Sequence, residues 1–169
     1  MRPEKKGREF MSVNLKTVTG RRTLSFQCYN DIRLDVMQLM RGGGIRSLGN
    51  WSAGQNFEHL AKSMNASIDG IDFRLPAWMR MIAKVFKGWF LSHPFRPGFQ
   101  LPKQMEPGFG PRDDVSTEVG YRELLESLDR IERETKRAPS PAFGEMPESD
   151  WIKLHCRHAE LHLSFLVNE

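Results

Sequence analysis

The run Trp151-Ile-Lys-Leu-His155-Cys-Arg-His158-Ala-Glu-Leu-His162-Leu-Ser-Phe165 decides how the chain folds. Trp151, His155, His158, His162 and Phe165 succeed one another at steps of four, three, four and three, the spacing of one stripe on a helix packed in a bundle. Three of the five histidines therefore share a line with two aromatics that should face a core. Side chains three or four apart on a helix sit ~5–6 Å apart at Cβ, so two imidazoles can close on one ion at ~2.1 Å. His158 and His162 satisfy this at i, i+4, and His155 and His158 at i, i+3. His155 and His162 lie roughly 10 Å apart along the axis and cannot share an ion. His158 is common to both pairs, and a third ligand must come from another helix.

Around this helix the chain reads as further helices. Pro147 and Glu148 open the last helix, with Asp150 near its positive end. Ser116 to about Lys136 forms a fourth helix that buries Val119, Leu124, Leu125, Leu128 and Ile131. Upstream lies a long connection punctuated by Pro94, Pro97, Gly98, Pro102, Pro107, Gly108, Gly110 and Pro111, which cannot sustain a helix. A loop of that length suits a bundle with non-sequential packing. Helix three, Pro76 to about Leu91, is the most apolar in the chain, with Trp78, Met79, Ile82, Val85, Phe86, Trp89 and Phe90. Arg74, Arg80, Lys84 and Lys87 interrupt it, so it is expected to be a buried bundle helix and not a membrane-associated one.

Helix two should run from Trp51 to about Ile71, capped by Asn50. Ala53, Phe57, Leu60, Met64, Ser67 and Ile71 give its apolar stripe; beside it run Ser52, Gln55, His59, Ser63 and Ala66. The second stripe is small and polar apart from His59, as a pocket wall would be. That makes His59 the best-placed third ligand, and Gln55, one turn earlier, is placed to orient a substrate or water. Helix one, about Asn30 to Met40, has Ile32, Val36, Leu39 and Met40 as its apolar face and stops at Arg41-Gly42-Gly43-Gly44. The triple glycine follows a helix and not a strand, so it lacks the context of a phosphate-binding loop. With no strand-like alternation, the expected class is all-α: residues 1–24 a flexible lead-in, 25–169 a single domain.

Composition sets the remaining bounds. Apolar content of 39% with 27% charged residues fits a globular protein. The 25 basic and 21 acidic residues leave +4, front-loaded at Arg2, Lys5, Lys6, Arg8, Lys16, Arg21 and Arg22. No aromatic-basic patch follows, which favours a solvated tail over a nucleic-acid arm. No signal peptide or bilayer-spanning run is expected, and Cys28 and Cys156 read as reduced thiols in the cytoplasm. Cys156 falls on another face from the histidines, which argues against a catalytic thiolate. Glu160 lies about 160–200° around the helix from both ligand positions, where it should face solvent and make a poor general base.

Gly49-Asn-Trp51-Ser-Ala-Gly-Gln55-Asn-Phe-Glu-His59-Leu-Ala61, followed by Ser67-Ile-Asp-Gly70, resembles the second-helix signature of the DinB/YfiT-like superfamily. The Pro-Gly-Phe-Gln-Leu-Pro segment at 97–102 and His158-x-x-x-His162-Leu163 also match, and together they resemble a branch described only as a domain of unknown function. The resemblance covers roughly residues 23–166. It implies a four-helix bundle with a long crossover between the third and fourth helices. It also implies a divalent ion, nickel or zinc, held by His59, His158 and His162. That branch often has adjacent histidines where this chain has Leu161-His162, and His155 is an extra imidazole that either supports the site or lines the cavity. Relatives in the superfamily include thiol-dependent transferases and an isomerase, which implies a low-molecular-weight thiol cosubstrate, a small-molecule substrate and a homodimer; aromatic-rich helix three is the expected contact. The alternative is a non-catalytic bundle whose histidines form a structural metal or polar cluster and whose surface binds a protein partner.

Overall fold

Each long helix begins where a side chain or a proline closes its first turn. A computed structural model describes residues 12–98 and 109–169. In chain order these hold α1 (Tyr29–Arg41), β1 (Ile45–Ser47), α2 (Ala53–Asp69), α3 (Ala77–Ser92), α4 (Thr117–Arg133), α5 (Glu148–Leu163) and β2 (Leu166–Asn168). The described chain is thus mostly helical, with five helices and a small two-stranded sheet. Ser52 and Gln55 cap α2 reciprocally: Ser52 Oγ accepts from the Gln55 amide at 3.2 Å and Gln55 Oε1 accepts from the Ser52 amide at 2.9 Å. Ser116 Oγ accepts from the Val119 amide to start α4, and Pro76 and Pro147 precede α3 and α5.

One core is shared by four of these helices. Ile32, Val36 and Leu39 of α1 meet Phe57, Leu60 and Met64 of α2, Leu124, Leu128 and Ile131 of α4, and Ala159 and Leu163 of α5. Trp151 and Phe165, the two ends of the histidine stripe, are buried as their spacing predicts. The tightest approach is between α2 and α4. A Cβ on Gly54 would stand 2.5 Å from the carbonyl oxygens of Val115 and Ser116, and one on Gly120 would stand 2.9 Å from Gly54 Cα. The two backbones touch where only hydrogen side chains fit, and this fixes the pitch of α2, the helix that carries His59.

The structure corrects several expectations. The N-cap of α2 is Ser52 and not Asn50, whose side-chain oxygen accepts from the Val13 amide instead. Trp51 consequently stands outside the helix. Two three-residue strands, too short to show alternation, pair antiparallel with Ile45 opposite Asn168 and Ser47 opposite Leu166. Helix α3 is not a buried bundle helix: only Leu91 is buried, while Trp78, Met81, Ile82, Val85, Phe86 and Trp89 are between 51% and 76% exposed. Arg21 and Arg22, counted with the lead-in, are held against the C-terminal end of α5. The Arg22 amide donates to the Ser164 carbonyl at 2.9 Å, and its guanidinium pairs with Asp35 at 2.7 Å. Much of the crossover, residues 99–108, lies outside the described residues, as does the basic segment 1–11. Among the described residues no helix is long and apolar enough to cross a membrane.

Gly120→Ala should therefore lower stability by ~1–3 kcal/mol, the usual cost of forcing a methyl group into a packed contact. In thermal unfolding that corresponds to a Tm drop of roughly 2–10 °C for a chain of this size. An unchanged or raised Tm would mean that the α2–α4 approach is looser than described.

Candidate metal centre

The site forms where the polar stripe of α2 faces the histidine stripe of α5. His59, His158 and His162 each offer a ring nitrogen, and the three nitrogens lie within 4.8 Å of one another. His59 Nε2 and His158 Nε2 are 3.1 Å apart. The ring centroids of His59–His162, His158–His162 and His59–His158 are separated by 4.5, 4.7 and 4.9 Å, with the last two pairs edge-on at 82°. Of the two pairs open on α5, the i, i+4 pair is the one brought to His59. Close packing of parallel rings is not what this is; the nitrogens converge on a point.

The partners on the far side of each ring say which nitrogens carry hydrogen. A carbonyl oxygen can only accept, so His59 Nδ1, 2.6 Å from the Phe109 carbonyl, is protonated and its Nε2 bears the lone pair. Asn56 donates through its side-chain nitrogen to the carbonyls of Ser52 at 2.8 Å and Trp51 at 3.2 Å. Its Oδ1 is therefore the atom that meets His162 Nδ1 at 3.2 Å, which makes that nitrogen the donor and leaves Nε2 bare. His158 Nδ1 has the Ser63 hydroxyl at 3.2 Å, a group able to accept from it. With Ser63 accepting, the Nε2 atoms of His59, His158 and His162 are all left as lone-pair donors, an arrangement that suits a cation; with Ser63 donating, His158 Nε2–H donates to His59 Nε2.

Residues 109–112 are strapped onto α2 from one face. Gln55 Nε2 donates to the Arg112 carbonyl at 3.1 Å, and Lys62 Nζ donates to the Gly110 carbonyl at 2.7 Å. Glu58, only 2% exposed, accepts from the Arg112 amide at 2.7 Å and pairs with the Arg112 and Lys62 side chains at 2.5 and 3.1 Å. Burial works to raise the Glu58 carboxyl, but the Arg112 amide and the two cations outweigh it and hold it below its usual range. Gln55, His59 and Lys62 thus share a strip at i, i+4, i+7 that fixes the Phe109 carbonyl. Gln55 has both ends of its amide occupied, so it positions the strap and does not face the cluster. Trp51 forms the opposing wall, stacked on His162 at 5.4 Å and 9° and tilted against His59 at 4.9 Å. His59 is buried, whereas His158 and His162 are half-buried, so the cluster keeps an outward side.

His155 does not join the three. It is buried on the same stripe, stacked on Trp151 at 5.4 Å, with Nδ1 3.1 Å from the Tyr29 hydroxyl. Its Nε2 has no hydrogen-bond partner among the described residues. Glu160 is not solvated as expected: it is 6% exposed, accepts from the Phe26 amide at 2.6 Å and pairs with Arg157 at 2.6 Å. Arg157 in turn donates to the Phe26 carbonyl, so the pair clamps both backbone groups of one residue in the N-terminal segment that wraps this face. Burial raises the Glu160 carboxyl above its ordinary range. Cys156 is buried and its thiol is pushed up to about 12 by burial, so it holds no thiolate near neutrality.

Reading the sequence missed Asn56, Trp51, Glu58 and Phe109. Asn56 and Glu58 flank the His59 stripe, and a buried amide or carboxylate within one turn of a ligand histidine is the signal that could have found them. Neither of the two best-formed concavities lies at the histidines. The larger, about 510 Å³, runs along another side of α2 between Glu58, Lys62, Asn65, Arg112, Glu123 and Arg130. It is crossed by ion pairs and presents no ligand set of its own.

Over residues 18–169 the chain matches a family described as "Protein of unknown function (DUF1569)", and it belongs to that family. No curated protein and no solved structure matches it.

The imidazoles of His59, His155, His158 and His162 titrate below the ordinary range, chiefly because enclosure by the protein disfavours their charged form; His158 and His162 lie well below it, and His155 is brought down to about 3. The unfolded chain takes up these protons near pH 6.5, so below that value the unfolded state binds more protons and stability falls with pH. The metal-free protein should lose Tm progressively from about pH 6.5 down to about pH 3, where His155 charges in the folded state. His155→Phe should make that slope shallower. A Tm that stays flat through this window would show that the rings are solvated.

Proposed function

We propose that His59, His158 and His162 hold a divalent metal ion, nickel or zinc, in a DinB-like four-helix bundle, and that the protein is a metal-dependent enzyme of the thiol-transferase, isomerase or hydrolase kind. The observation that carries this reading is the convergence of three ring nitrogens, within 4.8 Å of one another, from His59, His158 and His162, each ring having Phe109, Ser63 or Asn56 against its Nδ1. Three neutral nitrogens on a half-open site match a catalytic centre that keeps a position for a further ligand. A divalent ion there supplies the charge that lowers the pKa of a thiol or water at that position. The chain's own contribution is to orient and shield. The strap on α2 aims His59, the Asn56 amide aims His162, and Trp51 closes one flank against water. His155 and Tyr29 extend the polar line beneath the site, and Cys156 supplies no nucleophile.

A second reading has its own support. The larger groove lies away from the histidines, which suits an ion that only braces α2 against α5. In that case the protein is a non-catalytic bundle acting through its surface.

Elemental analysis of protein purified without chelator or nickel resin should find about one divalent ion per chain. His59→Ala and His162→Ala should lose it while keeping the helical circular-dichroism signal. Asn56→Ala should weaken affinity roughly 10–100-fold, as loss of a partner behind a ligand histidine does. A wild-type chain free of metal that also takes up neither nickel nor zinc would overturn the reading. If metal is bound, a panel of electrophiles with low-molecular-weight thiols, and of hydrolysable esters and amides, separates the enzyme from the brace: the enzyme turns one over, and His158→Ala abolishes it.

A further inference from the structure

Helix α3 is built inside out. Lys87 pairs with Asp150 of α5 at 2.6 Å, Arg80 and Lys84 lie over Gly144 in the loop before α5, and Leu91 is buried. The other apolar side chains turn away: Trp78, Met81, Ile82, Val85, Phe86 and Trp89 are between 51% and 76% exposed. At ~100° per residue, Met81 and Phe90 at the two edges of this face stand about 180° apart around the helix. That is wider than the ~100° stripe a helix turns toward its own core. The cations that interrupt the apolar run in the sequence therefore do not interrupt the face.

We propose that this face rests on an anionic lipid surface, with α3 lying in the plane of the membrane interface. Charge decides the occupant. From Phe73 to Gly98 the chain carries Arg74, Arg80, Lys84, Lys87 and Arg96 and no acidic residue. Among the described residues only Lys87 of these meets a carboxylate. Arg74 and Arg96 are exposed beyond the two ends of α3, and Lys84 adjoins Met81 at the edge of the face. Apolar side chains of such a helix sink ~5–10 Å into the headgroup and acyl boundary, while the flanking cations meet lipid phosphates. Trp78 and Trp89, near opposite ends of the face, carry the ring that settles at that depth. A second copy would instead set this all-basic stretch against itself, and like charges across a seam oppose association. The exposed apolar area is on the order of several hundred Å², at or above the largest patch of a typical monomer. No helix among the described residues is long and apolar enough to cross a bilayer, so α3 lies on the membrane and does not span it.

Co-sedimentation of the full chain with lipid vesicles tests this. The wild-type protein should bind vesicles of phosphatidylcholine and phosphatidylserine, and bind phosphatidylcholine alone more weakly by roughly 10-fold or more. Val85→Glu should weaken binding by roughly 10-fold or more and keep the helical circular-dichroism signal. Met81→Glu is the second variant, in case the first fails to fold. Lys84→Gln should cost roughly 5-fold, the share of one cation near an anionic surface. Leu34→Glu, which alters an exposed apolar residue on α1, should leave binding unchanged. The proposal is overturned by a wild-type protein that stays in the supernatant, by equal binding to the two kinds of vesicle, or by binding that survives both Val85→Glu and Met81→Glu. It is equally overturned by a lipid-free dimer that Val85→Glu converts to a monomer, which would put a second copy on the face.

Discussion

A buried imidazole has two nitrogens to place, and the structure depends on how it places them. In water both are satisfied at no cost; inside a protein each unplaced one carries a penalty of roughly 1–3 kcal/mol. For His59, His158 and His162 the outer nitrogens find a carbonyl, a hydroxyl and an amide oxygen, and the inner ones find only each other. Three lone pairs brought together in a poorly hydrated place repel unless something positive stands between them. Protonation is the alternative way to relieve that repulsion, and burial opposes it at each ring. The arrangement suits a cation at the common point; without one, His158 Nε2–H can donate to His59 Nε2 while the Ser63 hydroxyl donates to His158 Nδ1.

Holding such a cluster requires rigid surroundings, and rigidity is unevenly distributed in this chain. The α2–α4 side is fixed by contact of the Gly54 and Gly120 backbones, and by Glu58, Gln55 and Lys62 gripping residues 109–112. Because the Phe109 carbonyl arrives on that strap, the His59 tautomer is decided by a segment fifty residues away. The α5 side is fixed by Arg157 and Glu160 closing on the Phe26 peptide, opposite the histidines. Clamps on two helices thus leave the facing stripes little freedom to drift apart.

What could be read from the sequence follows from periodicity, and what could not follows from contacts between distant segments. The steps from Trp151 to Phe165 sufficed to place three histidines on one line and to single out His158 as shared. The polar stripe through His59 sufficed to name the third member. Choosing between the 155–158 and 158–162 pairs needed the position of Tyr29, which takes the His155 Nδ1. Glu160 was misread because a charged residue on the far side of a helix is normally solvated, and nothing local announces that residues 24–28 will wrap over it. Trp51 was absorbed into a helix that in fact begins two residues later, where Ser52 and Gln55 close the cap. In α3 the apolar stripe was recognised, but periodicity gives only the existence of a face and not the direction it points.

That last ambiguity has a physical resolution in the charges. An apolar stripe and a basic stripe share α3, and one of them must turn toward the body. Asp150, in the first turn of α5, stands where it can neutralise Lys87, and the Arg80 and Lys84 side chains lie over Gly144 in the preceding loop. Turning the helix over would place those cations in open solvent and gain the burial of the aromatics only if the body offered an apolar seat. Among the described residues it does not: the core is already closed by α1, α2, α4 and α5. The aromatic face is left over by construction. Lys87 is also a tether between the two features of the molecule, since Asp150 lies eight residues, ~12 Å along the helix, before His158.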